Sequence, residues 1–208
     1  MRRPVATLLT MYELTVTDLI NLACTHYFVT VDIKDILYSV IDKIGKEKIR
    51  MEINSNIEVS EKRCNEILGE CKQLMQGDMT DDTLADLCEA LLHFLLTASL
   101  LPSERKVNLK GTELDLVIPS LKMLKKNPEK ALVIQIIRGN DALTELKHTK
   151  SIQPFDENIW LVSAKELPTR HKNYYVGSNL SPYSKIIIDI NAFLIRKGHH
   201  GLKLLHGQ

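Results

Sequence analysis

Asp115 is an acidic residue in the middle of an apolar strand pattern, between Leu114 and Leu116. A second apolar stretch, Ala131–Ile137, is interrupted only by Gln135 and is typical of a strand buried on both faces. A carboxylate on a hairpin strand, opposite a polar side chain on a buried neighbouring strand, can hold a hard cation such as magnesium. The alternative is that Asp115 lies on the solvated face of an amphipathic strand.

The stretch from Arg105 to Gly139 contains the elements that would position these side chains. Its first part alternates apolar and polar residues, turns at Gly111, alternates again and stops at Pro119, which predicts a β-hairpin. The buried strand that follows completes a three-strand antiparallel meander. A helix beginning at Asn140 or Asp141 then predicts a crossover.

The crossover should return the chain to a parallel strand over Ile159–Val162. Beyond it, Pro168–Tyr183 is rich in turn-forming residues and is predicted to be a loop. Lys185–Ile190 is predicted to be another strand. Upstream of the hairpin, Thr80 is a predicted N-cap for a long apolar helix that carries Glu89.

This pattern resembles the core of the PD-(D/E)XK, or restriction-endonuclease-like, nucleases over residues 82–165. The resemblance implies a metal-binding aspartate at Asp115 and a leading helix glutamate at Glu89. It places Gln135 where the family has a glutamate, and Ile137 where it has a lysine. The catalytic residues that the resemblance implies are therefore Asp115, Gln135 and Glu89, with Asp115 and Gln135 as metal ligands.

The two departures from the family pattern predict a nuclease-like fold that has lost cleavage. An amide oxygen can ligate magnesium but contributes no charge, and isoleucine cannot polarise a phosphate. The alternative is an active magnesium-dependent nuclease in which Lys147 or Lys150 supplies the missing cation. Magnesium is the expected cofactor only in that case.

Basic side chains suggest where a nucleic acid would bind. Four lysines between the hairpin and the buried strand predict a positive patch beside the Asp115 site, and Arg138 follows that strand. The alternative is an exposed turn of helix with its apolar residues packed inward. A second basic segment interleaves cations with aromatics and is typical of single-strand binding, although a solvated loop explains it equally well. The two segments contribute Lys122, Lys125, Lys126 and Lys130, and Arg170, His171, Lys172, Tyr174 and Tyr175.

Composition is that of an ordinary globular protein: 208 residues, 44% apolar, with a net charge of +1. The charge gives no global attraction for polyanions, so any nucleic-acid site must be a local patch. The four cysteines have no C-x-x-C spacing, which predicts free thiols rather than a zinc site. With no visible signal peptide or membrane helix, a soluble cytoplasmic protein is expected.

The expected fold is mixed α/β, with a helical N-terminal domain over residues 1–78 and a restriction-endonuclease-like domain over residues 79–208. The N-terminal helices should begin near Thr17, and Ile33–Ile44 has the clearest helical pattern. Lys46–Ile57 alternates like a short strand, which would suggest a winged-helix arrangement, but a helix fits nearly as well.

Three functional hypotheses follow from the sequence. The first is a nucleic-acid-binding protein on a degenerate nuclease fold, acting in DNA repair, recombination or replication, with Lys122, Lys125, Lys126 and Arg138 holding phosphates. The second is the active nuclease. The third is a non-catalytic protein–protein interaction subunit. The partners expected are DNA or RNA and a protein subunit, with no membrane, in a homo-oligomer or a larger complex.

Overall fold

The computed structural model describes residues 32–75, 79–139, 142–176 and 182–199. All of them except Asp32 belong to one compact unit, Ile33–Gln208. The predicted helix near Thr17 and the predicted helix start at Asn140 or Asp141 lie outside the described residues. In the described part of the chain, no helix is both long and apolar enough to cross a bilayer.

A five-stranded mixed sheet has the order β1-β2-β3-β4-β5. The first three strands form the predicted antiparallel meander, and β3, β4 and β5 are parallel, so the predicted crossover is also confirmed. A two-residue turn, Lys110-Gly111, with positive φ at both positions (53° and 80°) matches the twist of the hairpin strands. The strands are β1 Glu104–Leu109, β2 Thr112–Ile118, β3 Leu132–Ile136, β4 Ile159–Ser163 and β5 Lys172–Tyr175.

Seven α-helices within the described residues flank the sheet, so the predicted mixed α/β class is confirmed. Thr80 caps the longest of them as predicted, because its hydroxyl oxygen accepts a hydrogen bond from the Thr83 N–H at 3.1 Å. The helices are α1 Ile33–Ile44, α2 Lys46–Ser55, α3 Val59–Leu74, α4 Asp81–Ala98, α5 Leu121–Lys126, α6 Ala142–Ile152 and α7 Ile186–Arg196.

Both faces of the sheet are covered, which explains why its central strands are apolar almost throughout. One face, including Leu116 and Ile134, packs against α1, α3, α4 and α7 in the main core. The other face, including Val117 and Val133, packs against Leu124 of α5 and other apolar residues. Helices from both sides of residue 78 contribute to the main core, while residues 76–78 lie outside the described part, so the predicted domain boundary stays a prediction.

Lys46–Ser55 is a helix, so the helical alternative was right for this segment and the predicted strand was wrong. Ile49 and Ile53 are four residues apart and share its buried face, whereas Met51 between them is 64% exposed. The apparent alternation was therefore a helical pattern with one exposed apolar residue.

Two predictions near the C-terminus were also wrong. In the predicted strand Lys185–Ile190, Lys185 is the last residue of a 3₁₀ turn and the other residues form the start of α7. The buried residues Ile186, Ile190 and Phe193 of α7 recur at helical spacing, and they pack into the main core. The predicted loop Pro168–Tyr183 contains β5, a short edge strand in which only Tyr174 is buried.

Candidate functional site

Asp115 and Gln135 lie at the point where β2 and β3 separate. Backbone pairing between these strands ends at Leu116 and Ile134. Beyond that pair, the side chains of Asp115 and Gln135 replace the missing ladder partners. Gln135 Oε1 accepts a hydrogen bond from the Asp115 N–H at 2.8 Å, and Asp115 Oδ2 accepts one from the Ile136 N–H, also at 2.8 Å. We refer to Asp115 and Gln135 as the strand brace.

The amide of Gln135 uses both its donor and its acceptor atoms. Its Nε2 donates to Thr149 Oγ1 on α6 at 3.0 Å and to the Glu113 carbonyl oxygen at 3.4 Å. The side chain is buried, so losing its donor would remove both contacts from the interior of the site. An ionised glutamate at this position could not donate to the Glu113 carbonyl oxygen, and it could contact Thr149 only as an acceptor.

Lys106 supplies a positive charge beside the brace. It stands opposite Asp115 in the hairpin register, with a positive φ of 47° that is uncommon for a residue with a side chain. Its ammonium lies 2.6 Å from Asp115 Oδ1 and 3.4 Å from Glu89 Oε1. Burial alone would lower the pKa of Lys106, but the hydrogen bond to Asp115 and the nearby Glu89 raise it above its ordinary value.

Glu89 is held from α4 by a cluster of cations at the same end of the sheet. It pairs with Arg138, and with Arg105 at 3.2 Å. Burial would raise the pKa of Glu89, but the charges of Lys106 and Arg138 outweigh it and hold the pKa below its usual range. Arg138 also binds Asp86 at 2.8 Å, so its guanidinium is already shared between two carboxylates.

The predicted site residues Glu89, Asp115 and Gln135 are therefore brought together, but in contacts that do not fit a divalent cation. Both oxygens of Asp115 and the side-chain oxygen of Gln135 already accept hydrogen bonds. A cation between them would displace an ammonium and remove hydrogen bonds that join β2 to β3. Among the described residues, no group of three or more His, Cys, Asp or Glu side chains is arranged to hold a metal.

The lysine near Asp115 is not one of those suggested by the sequence. Lys150 pairs with Asp156 at 3.0 Å, and Lys147 is exposed on α6. The family motif has its lysine on the strand equivalent to β3, whereas Lys106 lies on β1, before the turn. The signal was the turn itself: a two-residue turn at Lys110-Gly111 sets position 106 across from position 115, between the ladder pairs Arg105–Leu116 and Val107–Leu114.

The four lysines after the hairpin lie at the other end of β2 and β3. β2 ends beside the beginning of β3, where Ile118 pairs with Leu132, and α5 follows from there. The brace lies three residues further along the ladder, about 10 Å away at the usual rise per residue. These lysines therefore do not lie beside Asp115, contrary to the prediction. We refer to Lys122, Lys125, Lys126 and Lys130 as the basic edge.

The basic edge is exposed, and its lysines make no ion pair within the described part of the chain. α5 is capped by Ser120, whose Oγ accepts from the Met123 N–H at 3.2 Å, and Leu124 anchors it to the core. The helix therefore points its lysines outward, in the way the packed-helix alternative anticipated. Three of them line a shallow groove with Leu121 and Glu104.

Comparison with family models, with curated proteins and with solved structures found no match. The resemblance to PD-(D/E)XK nucleases accordingly stays a prediction.

Proposed function

We propose that this protein binds the sugar–phosphate backbone of a nucleic acid along the basic edge and does not cleave it. The observation that carries the proposal is the exposed, unpaired state of Lys122, Lys125, Lys126 and Lys130 within the described part of the chain. The nine residues 122–130 contain these four lysines and one acidic residue, Glu129.

The pairing of Glu129 supports this use of the basic edge. Its carboxylate lies 3.7 Å from the ammonium of Lys197 on the C-terminal end of α7, rather than against a lysine of α5. Because the whole chain has a net charge of +1, such a local excess of positive charge is offset elsewhere on the molecule. Phosphate contacts of this kind position a nucleic acid without reading its sequence.

Arg138 is a weaker candidate for phosphate binding than the lysines. It lies at the opposite end of β3, and its guanidinium is paired with Asp86 and Glu89. A phosphate would have to compete with both carboxylates for the same donors. We therefore assign binding of the nucleic-acid backbone to the basic edge. Arg138 is assigned a structural role in its ion pairs with Asp86 and Glu89.

Changing Lys122, Lys125 and Lys126 together to glutamine should flatten the salt dependence of binding. Each phosphate neutralised on duplex DNA contributes about −0.9 to the slope of log K against log salt. The magnitude of the slope should therefore decrease by about 2 to 3 in the variant. Fluorescence anisotropy across a salt series measures it. The matched control changes Lys48, Arg50 and Lys62, which are also exposed and without an ion pair in the described residues.

The control should bind like the wild type, because its residues lie on α2 and α3 and outside the basic edge. An unchanged slope in the α5 variant, or an equal loss in the control, would remove the basis of the proposal. Circular dichroism should give the same folded spectrum for both variants, since all six side chains are exposed.

A second candidate is a magnesium-dependent nuclease, and the position of Lys106 is the observation that favours it. Its ammonium stands between Asp115 and Glu89, the two carboxylates that the resemblance assigns to catalysis. Against this candidate, the side-chain oxygens of the strand brace are used in hydrogen bonds between β2 and β3. The proposal of binding without cleavage therefore has the stronger support.

A further inference from the structure

A second basic feature lies beside the first strand residues of β4 and β5. A cleft of about 780 Å³ opens between these strand ends and the C-terminal end of α7. Its volume is within the range of pockets that hold one small molecule. Five cations or potential cations line it and define what we call the basic cleft: Arg170, His171, Lys172, Arg196 and Lys197.

The two arginines of the basic cleft have unused donors. Arg170 and Arg196 are exposed and form no ion pair within the described residues. The other two cations are paired: Lys172 lies 2.7 Å from Asp189, and Lys197 lies 3.7 Å from Glu129. A guanidinium presents planar, paired donors that match the oxygens of a phosphate.

His171 adds a further donor or acceptor. Its Nδ1 lies 3.1 Å from the Asp156 carbonyl oxygen, which leaves Nε2 without a hydrogen-bond partner in the described part of the chain. Because Nδ1 faces a carbonyl, it carries the proton in the neutral ring, and Nε2 is then an acceptor.

Two aromatic residues of this region, Tyr174 and Trp160, are not available to stack on bases, and Tyr175, which is half-buried, is not part of the lining of the basic cleft. Tyr174 is buried, and Trp160 is 4% exposed. Lys172 covers the Trp160 ring, with its ammonium 4.6 Å from the centroid. The basic cleft therefore suits a phosphate group better than the stacked bases that the sequence suggested.

Acidic residues in the same lining restrict the ligand further. Asp156 pairs with Lys150, but the carboxylate of Glu157 has no ion pair among the described residues. An unpaired carboxylate repels a bare anion and accepts hydrogen bonds from hydroxyl groups. A ligand that carries both a phosphate and a hydroxylated sugar satisfies both the arginines and the free carboxylate.

We propose that the basic cleft binds the phosphate monoester of a nucleotide, with Arg170 and Arg196 on the phosphate and Glu157 on sugar hydroxyls. A free nucleotide and the phosphorylated end of a strand share this chemistry. If the protein binds a nucleic acid as proposed above, the phosphorylated end of that nucleic acid is the favoured ligand. This part of the inference rests on the proposed function.

The basic cleft and the basic edge lie at the same end of the sheet. Asn158, which lines the cleft, donates to the Glu129 carbonyl oxygen at 2.8 Å, and His199 Nε2 lies 3.1 Å from the Lys130 carbonyl oxygen. Both partners belong to the short turn that follows α5. A nucleic-acid strand bound along the lysines of the basic edge would therefore have one of its ends near the basic cleft.

The test compares one single-stranded RNA with a 5′-phosphate, a 3′-phosphate or neither, together with free adenosine 5′-monophosphate. A terminal phosphate at the preferred end should tighten binding about tenfold, and the variant carrying Arg170→Gln and Arg196→Gln should lose that preference. Arg50→Gln, at an exposed arginine of α2, is the control and should retain it.

The outcomes separate this inference from the proposed function. Equal binding of all three RNAs would overturn the basic cleft as a phosphate site while leaving backbone binding intact. Binding of the free nucleotide, lost in the double variant, would support the cleft even if no RNA or DNA bound, and that result would overturn the proposed function alone. A phosphate preference that survives in the double variant would overturn the assignment to Arg170 and Arg196.

Discussion

Replacing Asp115 by alanine should lower the free energy of unfolding by about 3 kcal/mol. The change removes the acceptor of the buried Ile136 N–H and the closest anionic partner of Lys106. Lys106 is partly exposed and retains Glu89, so the loss should lie near the lower end of the range for breaking a buried ion pair. Urea denaturation at neutral pH measures the effect as a shift in midpoint.

Glu113→Ala is the matched control for the Asp115 variant, because it removes a neighbouring carboxylate on the same strand. The Glu113 side chain is 60% exposed and lies 3.5 Å from the same ammonium. Removing the Glu113 carboxylate should lower the free energy of unfolding by less than about 0.5 kcal/mol. The loss of unfolding free energy for Asp115→Asn should lie between those of Asp115→Ala and Glu113→Ala, because the asparagine amide oxygen can still accept a hydrogen bond from the Ile136 N–H. Equal midpoints for Asp115→Ala and Glu113→Ala would contradict the strand brace.

Changing Gln135 to glutamate should destabilise the protein by about 2 to 3 kcal/mol, even though it restores the residue type of the nuclease pattern. An ionised carboxylate cannot donate to Thr149 Oγ1 or to the Glu113 carbonyl oxygen, and it would stand beside the Asp115 carboxylate. Thermal and urea unfolding, each with and without millimolar magnesium, measure the change.

Gln73→Glu, at an exposed position of α3, introduces the same charge and should leave stability nearly unchanged. The sign of the effect at Gln135 distinguishes the two interpretations of this position. A Gln135→Glu protein that is as stable as the wild type, or that is stabilised by magnesium, would favour a latent metal site over the strand brace.

The meander and the crossover could be predicted because each carries a local signal that the packing reinforces. Alternation on both sides of Gly111 indicated the hairpin, and the continuous apolar run around Gln135 indicated a strand covered on both faces. The structure has both, with β3 in the middle of five strands. Thr80 gave an equally local signal for the start of α4.

The errors arose where short apolar segments fit two periods. Lys185–Ile190 is too short to distinguish a strand from the first turns of a helix, and only the later positions Phe193 and Leu194 reveal the helical face. β5 was missed because its edge position leaves Lys172 and Tyr175 accessible, so it lacks the apolar character of a central strand.

The sequence predicted which residues of the candidate site lie near one another, but not the contacts that they make. Glu89, Asp115 and Gln135 lie close together, while the catalytic roles that the resemblance implies for them stay a prediction. Their roles depend on where β2 and β3 stop pairing, a tertiary property that no local pattern reports. Lys106 completes the cluster from β1, and only the hairpin register could have placed it there.

The most direct test of binding without cleavage incubates the wild-type protein with labelled single-stranded, duplex and junction substrates of DNA and RNA. Each reaction contains magnesium or manganese, and gel electrophoresis follows both the complex and the length of the substrate. We expect a salt-sensitive complex from which the nucleic acid is recovered intact. Cleavage that disappears in the Asp115→Asn variant would contradict it, because the carboxylate of the strand brace would then be acting on a phosphodiester.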